Sequence, residues 1–186
     1  MPPEILIGPL RISQLRPTDA QALFNYRSDA EVARFQSWLP QSIDDVHGLI
    51  ARTVSTPFNQ NDSWKQLAVR WAATDELIGD LGVHFLADGR QVEIGFTISP
   101  PHQRQGHGML AVAALLDHLF TILNKHRVCA SVDPGNEASL ALLRSVGMRQ
   151  EAHFRQSLFW KEQWVDDVVF AILRSEWKGL PPSAHS

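Results

Sequence analysis

Apolar residues recur along this chain in two rhythms, and the change between them falls near Trp64. Ile5, Ile7, Leu10, Ile12 and Leu15 read as one strand broken at Gly8-Pro9. Pro17-Thr18-Asp19 then opens a helix, with a proline suited to the first turn and residues that can cap it. That helix carries Ala22, Leu23, Tyr26 and Ala30 on one side. After a loop rich in large side chains, Ser42 with Asp45 three residues on forms a capping box. It opens a second helix, whose stripe is Val46, Leu49, Ile50 and Val54. From Trp64 the period shortens to two. Leu67, Val69 and Trp71 alternate with Ala68, Arg70 and Ala72, and Leu77 to Phe85 returns after a Thr74-Asp75-Glu76 turn. A second turn at Ala87 to Arg90 leads into the strand Val92 to Ile98, so antiparallel hairpins are predicted. Helical spacing resumes with Val112, Leu115, Leu116, Leu119 and Phe120, followed by a buried-looking strand, Arg127 to Val132. A strand, a helix and a strand at this spacing predict a right-handed parallel crossover. The turn Asp133-Pro134-Gly135-Asn136 starts another helix, Glu137 to Val146, stopped by Gly147. A last long hairpin turns around Lys161-Glu162-Gln163. The pattern predicts one α+β domain over residues 1–178, with a Pro/Ser-rich tail, 179–186, read as disordered.

Composition narrows the partners more than the fold. At 186 residues, with ordinary apolar and charged fractions, the chain suits one globular domain. A net charge of −3 without a Lys/Arg run argues against a nucleic-acid binder. The single Cys129 cannot form an internal disulfide, no apolar run approaches a membrane span, and the N-terminus lacks the pattern of a signal peptide. A cytoplasmic protein with no membrane partner is the expectation. No pair of histidines has convincing metal-ligand spacing, so no metal is expected.

The stretch Val92 to Leu123 organises the chemistry. It runs from a strand through Pro100-Pro101 and a turn holding Gly106-His107-Gly108 into the long helix. The first N–H groups of a helix lack internal partners and its dipole favours negative charge there, so this is a place to hold an anion. Glycine lets the backbone approach such a ligand closely. Gln103-Arg104-Gln105-Gly106-His107-Gly108 resembles the (Q/R)-x-x-G-x-(G/A) motif of the GNAT superfamily of N-acetyltransferases. Asn136-Glu137-Ala138-Ser139, Leu142-Leu143 and Gly147-Met148 resemble the helix that follows in that superfamily. Serine at 139, Leu77-Ile78-Gly79-Asp80-x-Gly82, Val92 to Phe96 and Trp164-x-Asp166 are similar to the RimJ/RimL-like branch, which acetylates ribosomal proteins at alanine or serine. The four motifs fall in family order over nearly the whole chain.

The resemblance implies a mixed, mostly antiparallel twisted sheet of about seven strands, splayed after the fourth and flanked by helices. It implies acetyl-CoA as co-substrate. The pantetheine arm would lie along Phe96, Thr97 and Ile98. The diphosphate would lie on the turn Gln103, Arg104, Gln105, Gly106, His107, Gly108 and Met109, with Asn136, Ser139 and Leu142 also touching the cofactor. An edge strand can take an amide-bearing arm as a pseudo-strand, and two prolines after Ser99 would stop it pairing further.

Direct attack of an amine on a thioester needs a base, an oxyanion stabiliser and an acid for the departing thiolate. Glu93 is the first candidate base, sharing a strand face with Gly95 and Thr97, against a bland role positioning water or pairing with arginine. His84 on the neighbouring strand is a second candidate, for the acceptor site or the base. Ser139, on one helix face with Asn136, is the candidate for a cofactor contact or thiolate protonation; the bland alternative is a serine bonded to its own backbone. Asn136 alone reads equally as an N-cap. Many members of the superfamily use a tyrosine as acid where this chain has Leu143, and the only tyrosine here is Tyr26. Trp38 and Phe35 fit either an acceptor site or a hydrophobic anchor for their loop, and Trp160, Trp164 and Trp177 fit packing in the hairpin or a dimer contact. The leading function is transfer of acetyl to a primary amine, either a protein N-terminus or a small molecule, by a monomer or homodimer. The alternative is a non-catalytic CoA-binding module.

Overall fold

In the computed structural model, which describes residues 2–36 and 38–180, eight strands form one sheet in the order β1-β2-β3-β4-β5-β6-β8-β7. They are β1 (Ile5–Ile7), β2 (Leu10–Gln14), β3 (Ser63–Trp71), β4 (Leu77–Phe85), β5 (Gln91–Ile98), β6 (Arg127–Val132), β7 (Arg149–Trp160) and β8 (Gln163–Leu173). The helices are α1 (Ala20–Arg27), α2 (Ala30–Ala33), α3 (Ile43–Ser55), α4 (His107–Asp117) and α5 (Glu137–Ser145). Every strand pairing is antiparallel except β5 with β6.

Strand alternation sorts the sheet into two faces. Leu67, Val69, Leu81, Val83, Val92, Ile94, Val128 and Phe170 point to one side and pack with α4 in the larger core. On the other side Ala68 joins Leu15, Leu23, Val46 and Ile50 in a smaller core beneath α1 and α3. Along β4 and β5 that second face carries Asp80, Gly82, His84, Glu93, Gly95 and Thr97, which are polar or small. The hydrophobic cover therefore stops partway across this face, and the polar remainder borders a cavity.

Three expectations are corrected. The sheet has eight strands rather than about seven, because Gly8 adopts φ 51° and with Pro9 turns the first strand into a hairpin, Ile7 facing Leu10. The parting still follows the Val92 strand, as expected, and that strand is now the fifth. The first helix ends at Arg27, and Ala30 belongs to a separate turn, since Asp29 accepts from the N–H groups of Glu31 and Val32 and starts α2. The long apolar helix also changes character: α4 ends at Asp117 and His118–Ile122 continues as a π-turn. The Ser42–Asp45 capping box forms as read. The tail from residue 181 lies outside the described residues.

The parting has a clear geometry. β5 pairs with β4 over seven residue pairs, from Phe85↔Val92 to Gly79↔Ile98, but with β6 over only three, Gln91↔Arg127 to Glu93↔Cys129. Beyond Glu93, β5 stays with β4 and β6 follows β8 as far as Val132↔Val168. Gly79 permits the first of these courses, because a Cβ there would stand 2.3 Å from the Thr97 carbonyl oxygen and 3.1 Å from the Ile98 Cα. Both neighbours are backbone, so the strand itself would have to move. Gly79→Ala is accordingly expected to destabilise the protein by about 1–3 kcal/mol, as overpacking does. Denaturant unfolding measures this, and an unchanged midpoint would refute the close approach as the reason for glycine.

Candidate active site

A cavity of about 680 Å³ opens on the polar face where β5 leaves β6. Its floor includes Gly82 and Gly95, which face each other across β4 and β5, and Glu93 stands beside them. A Cβ on Gly95 would meet nothing within 4 Å, so the floor there is open. Phe35 and Trp38 form one wall, from the segment after α2, and Trp64 adds to it from β3. Opposite stand Leu158, Phe159 and Trp160 at the end of β7. Asn136 and Ser139, at the start of α5, also line it.

The β7–β8 hairpin reaches over the cavity because β7 is irregular. Its pairing with β8 jumps between Phe154 and Leu158, and Gln156 in the bulge has φ 45°. Asp166 pins this bulge, accepting from the Gln156 N–H at 2.9 Å and lying 2.8 Å from His153 Nε2. These hydrogen bonds, the backbone one first, hold the Asp166 carboxyl below the usual carboxylate range. At the tip Lys161 and Glu162 both have positive φ, and Lys161 Nζ donates to the carbonyl of Ala33 at the end of α2. The two cavity walls are thus tied together. Nothing in the apolar pattern marks this bulge, and the one signal in the sequence was Asp166 as part of the Trp164-x-Asp166 resemblance.

Beneath the α2 wall lies a buried polar network centred on Asp80, which is fully buried. Its carboxylate accepts from Tyr26 Oη at 2.5 Å, from Arg27 Nε at 3.2 Å, and from Arg27 Nη2 and Gln66 Nε2. Burial pulls the Arg27 guanidinium down, but the Asp80 charge, Tyr26 and the hydrogen bonds to both together raise it. Burial and then Asp80 push the Tyr26 phenol well above its usual value, so it stays protonated as a donor. Arg27 also reaches Gln36, whose side-chain oxygen accepts from Thr97 Oγ1 at 3.1 Å. Thr97 therefore gives its side chain to this network and offers only main chain to a ligand. A buried carboxylate is stable when paired and fully hydrogen-bonded, and removing one partner strands the other charge. Asp80→Asn is expected to cost about 3–5 kcal/mol, the usual penalty for breaking a buried pair. Chemical denaturation with wild-type stability would show that the pair does not hold α1 to the sheet.

The other residues singled out from the sequence fall in three places. Glu93 and Ser139 both line the cavity, as do Phe96 and Asn136. The Asn136 side chain caps α5, accepting from the Ser139 N–H at 3.1 Å. The Ser139 hydroxyl makes no hydrogen bond to a described residue, so the backbone-bonded alternative does not hold. Leu143 is fully buried in the larger core. His84 lies outside the cavity lining: it stacks on Trp64 with centroids 4.6 Å apart, and its Nδ1 is buried without a hydrogen bond, 3.7 Å from Glu93 Oε2. Trp38 and Phe35 face the cavity, Trp38 beneath the Arg27 guanidinium and Phe35 beneath that of Arg34.

The glycine turn follows β5 and packs against its end, Gly108 lying close to Ile98. Gly106 is the N-cap of α4 with φ 83°, and a Cβ there would meet nothing within 4 Å. Leu110 N–H to Gly106 O closes the first helical turn, leaving the N–H groups of His107, Gly108 and Met109 without helical partners. Gly108 is tight for a different reason, since its Cβ would stand 2.9 Å from Leu142 and 3.3 Å from Ile98. Gln103 Nε2 donates to the Ile98 carbonyl and Gln105 Nε2 to that of Pro101, and the His107 ring packs edge-on to Trp71. Arg104 holds φ 59° and is exposed. These residues make an open, backbone-lined turn with donors available for an anion.

A family model described as an acetyltransferase (GNAT) domain matches residues 10–149, and the chain belongs to that family. Its relatives include YnaD of Bacillus subtilis, an uncharacterised N-acetyltransferase that is 28% identical over 171 residues, covering 90% of this chain and 95% of YnaD. A GNAT-family acetyltransferase from Bacillus anthracis has the same fold, with a TM-score of 0.86 at 24% identity over 94% of this chain and all of that one. The spermidine N-acetyltransferase of Vibrio cholerae, solved with CoA and spermine, superposes with a TM-score of 0.78 at 22% identity, covering 90% and 97% of the two chains.

Proposed function

We propose that this protein transfers an acetyl group from acetyl-CoA to a primary amine, and that residues 1–178 form the domain that does so. The observation that carries the reading is the meeting of three features at one parting of the sheet. They are the open glycine turn before α4, the main chain of Phe96 to Ile98 without a β6 partner, and a cavity with Glu93 on its floor. A structural relative that holds CoA and spermine supports the same assignment of ligand classes. The ribosomal-protein branch remains the finer reading, resting on Ser139 and the hairpin motif.

In this reading the N–H groups of Gln105 to Met109 hold the diphosphate at the positive end of α4. Phe96 to Ile98 hold the arm as a pseudo-strand, and Leu142 and Asn136 border it. Bound acetyl-CoA supplies an acyl thioester, which the amine attacks. Glu93 takes the proton that an alkylammonium carries at neutral pH, directly or through water. His84 stands behind Glu93 and fixes its surroundings by stacking on Trp64. Ser139, whose hydroxyl has no other partner among the described residues, donates toward the leaving sulfur. Phe35 and Trp38 contact the body of the acceptor.

Three outcomes test the reading. Acetyl-CoA and desulfo-CoA should each raise the melting temperature and NAD should not, while Gly106→Val should weaken CoA binding about tenfold or more, because its side chain fills the turn and resists positive φ. No stabilisation by either CoA compound, or unchanged affinity in the valine variant, would refute the placement. Glu93→Gln should lower kcat for free-thiol release by roughly 10²–10⁴-fold at neutral pH. Full turnover across the pH range would remove Glu93 as the base.

A further inference from the structure

We infer that Asp167, oriented by Ser131, binds a second positive charge on the acceptor, so that the preferred acceptor is an amine carrying another cationic group. This rests on the acetyl-transfer reading above. Asp167 lies on β8, on the same face of the sheet as Glu93, and it lines the cavity. It is 9% exposed, yet among the described residues no basic side chain comes within 4.0 Å of it. Its Oδ1 accepts from Ser131 Oγ at 2.6 Å, and its Oδ2 takes no hydrogen bond from a described residue. Its Oδ2 is not fully buried and stays accessible from the cavity, and a carboxylate this enclosed is ordinarily paired.

Apart from Glu93 and the rim residue Arg34, the other charges around the cavity are already engaged. Arg27 is held by Asp80, Asp166 by Gln156 and His153, and Asp133 accepts from the Gly135 N–H. Arg34, exposed at the rim, lies over the Phe35 ring. Asp167 is left as a preoriented acceptor of charge inside the cavity. Phe159 and Trp160 line the same cavity toward the hairpin tip, and such faces attract cations and cover alkyl chains. Only β6 separates β5 from β8, and Asp167 lies four residues along β8 from Ala171, the residue level with Glu93, so the two carboxylates are roughly 16 Å apart, at about 4.8 Å per strand and about 3.3 Å per residue. One molecule can then present an amine to the base and keep an ammonium at Asp167.

The test compares a length series of α,ω-diaminoalkanes with matched n-alkylamines, following thiol release from acetyl-CoA. The wild-type chain should favour diamines in kcat/KM about tenfold or more, with one length preferred. Asp167→Asn should collapse that ratio through the KM for diamines, and Asp167→Glu should restore part of it. Equal kcat/KM for diamines and monoamines, or an Asp167→Asn ratio like that of wild type, would overturn the inference while leaving acetyl transfer standing. If no amine is turned over, calorimetric binding of diamines to the CoA-saturated protein decides separately. Binding that weakens tenfold in Asp167→Asn upholds the charge site without the chemistry, and binding that does not weaken overturns it. Should Asp167→Asn fail to fold, Ser131→Ala is the second variant. It frees Oδ1 and should raise the diamine KM by a smaller factor, and an unchanged value would overturn the role assigned to the pair.

Discussion

Three residue pairs between β5 and β6 are the constraint on which the rest of the structure depends. A parallel pairing that ran the length of β5 would satisfy its outward main-chain groups and leave no opening. The pairing stops at Glu93 because the two strands have stronger commitments elsewhere. β5 follows β4 through a close approach at Gly79, and β6 follows β8 to Val132. Backbone groups left without a ladder partner must find another donor or acceptor. Gln103 covers the Ile98 carbonyl, and the rest of that stretch faces the gap. The same parting places Glu93 at the last paired position, where the sheet is still rigid but the cavity has begun.

The second constraint is electrostatic and couples the aromatic wall of the cavity to β5. Asp80 holds Tyr26 and Arg27 of α1 against β4, and through Arg27 and Gln36 it reaches Thr97 on β5. The chain segment that carries Phe35 and Trp38 is therefore anchored to the strand next to the parting. This network contributes little net stability compared with an apolar core of equal volume, but it is expensive to break at one point. It therefore specifies where the aromatic wall stands more than how stable the protein is. Lys65 plays a similar part for α3, donating to the carbonyls of Thr53 and Thr56 at its C-terminal end.

Period-two alternation made β3, β4 and β5 legible in the sequence, and the glycine turn and the Asn136 helix were legible as motifs. What stayed hidden shares one property: its partners are far apart in sequence. Asp80 read as one letter of a strand motif, although its function depends on Tyr26 and Arg27, more than fifty residues away. Asp167 followed a residue that carried the resemblance and had no pattern of its own; only its burial beside Ser131 without a cation distinguishes it. The β7 bulge and the positive φ angles of Lys161 and Glu162 are likewise set by tertiary contact, with Asp166 and with Ala33, against local preference. Gly8-Pro9 was visible as an interruption, but whether it kinks a strand or makes a hairpin depends on the Ile7–Leu10 pairing.

The departure at Leu143 becomes intelligible on the same terms. That side chain is fully buried among the residues that bind α5 to the larger core, and a tyrosine there would need a partner for its hydroxyl in an apolar setting. Ser139, one turn earlier, faces the cavity with a hydroxyl that neither its own backbone nor a neighbouring side chain engages. A short side chain on a capped first turn is held by the backbone and not by its own packing, since Asn136 binds the Ser139 N–H directly. Its hydroxyl position is therefore set by the N-cap that begins the helix. The hydroxyl and the helix N-cap are one construction. This chain thus places a hydroxyl at the cavity without disturbing the core that a larger acid at Leu143 would have to enter.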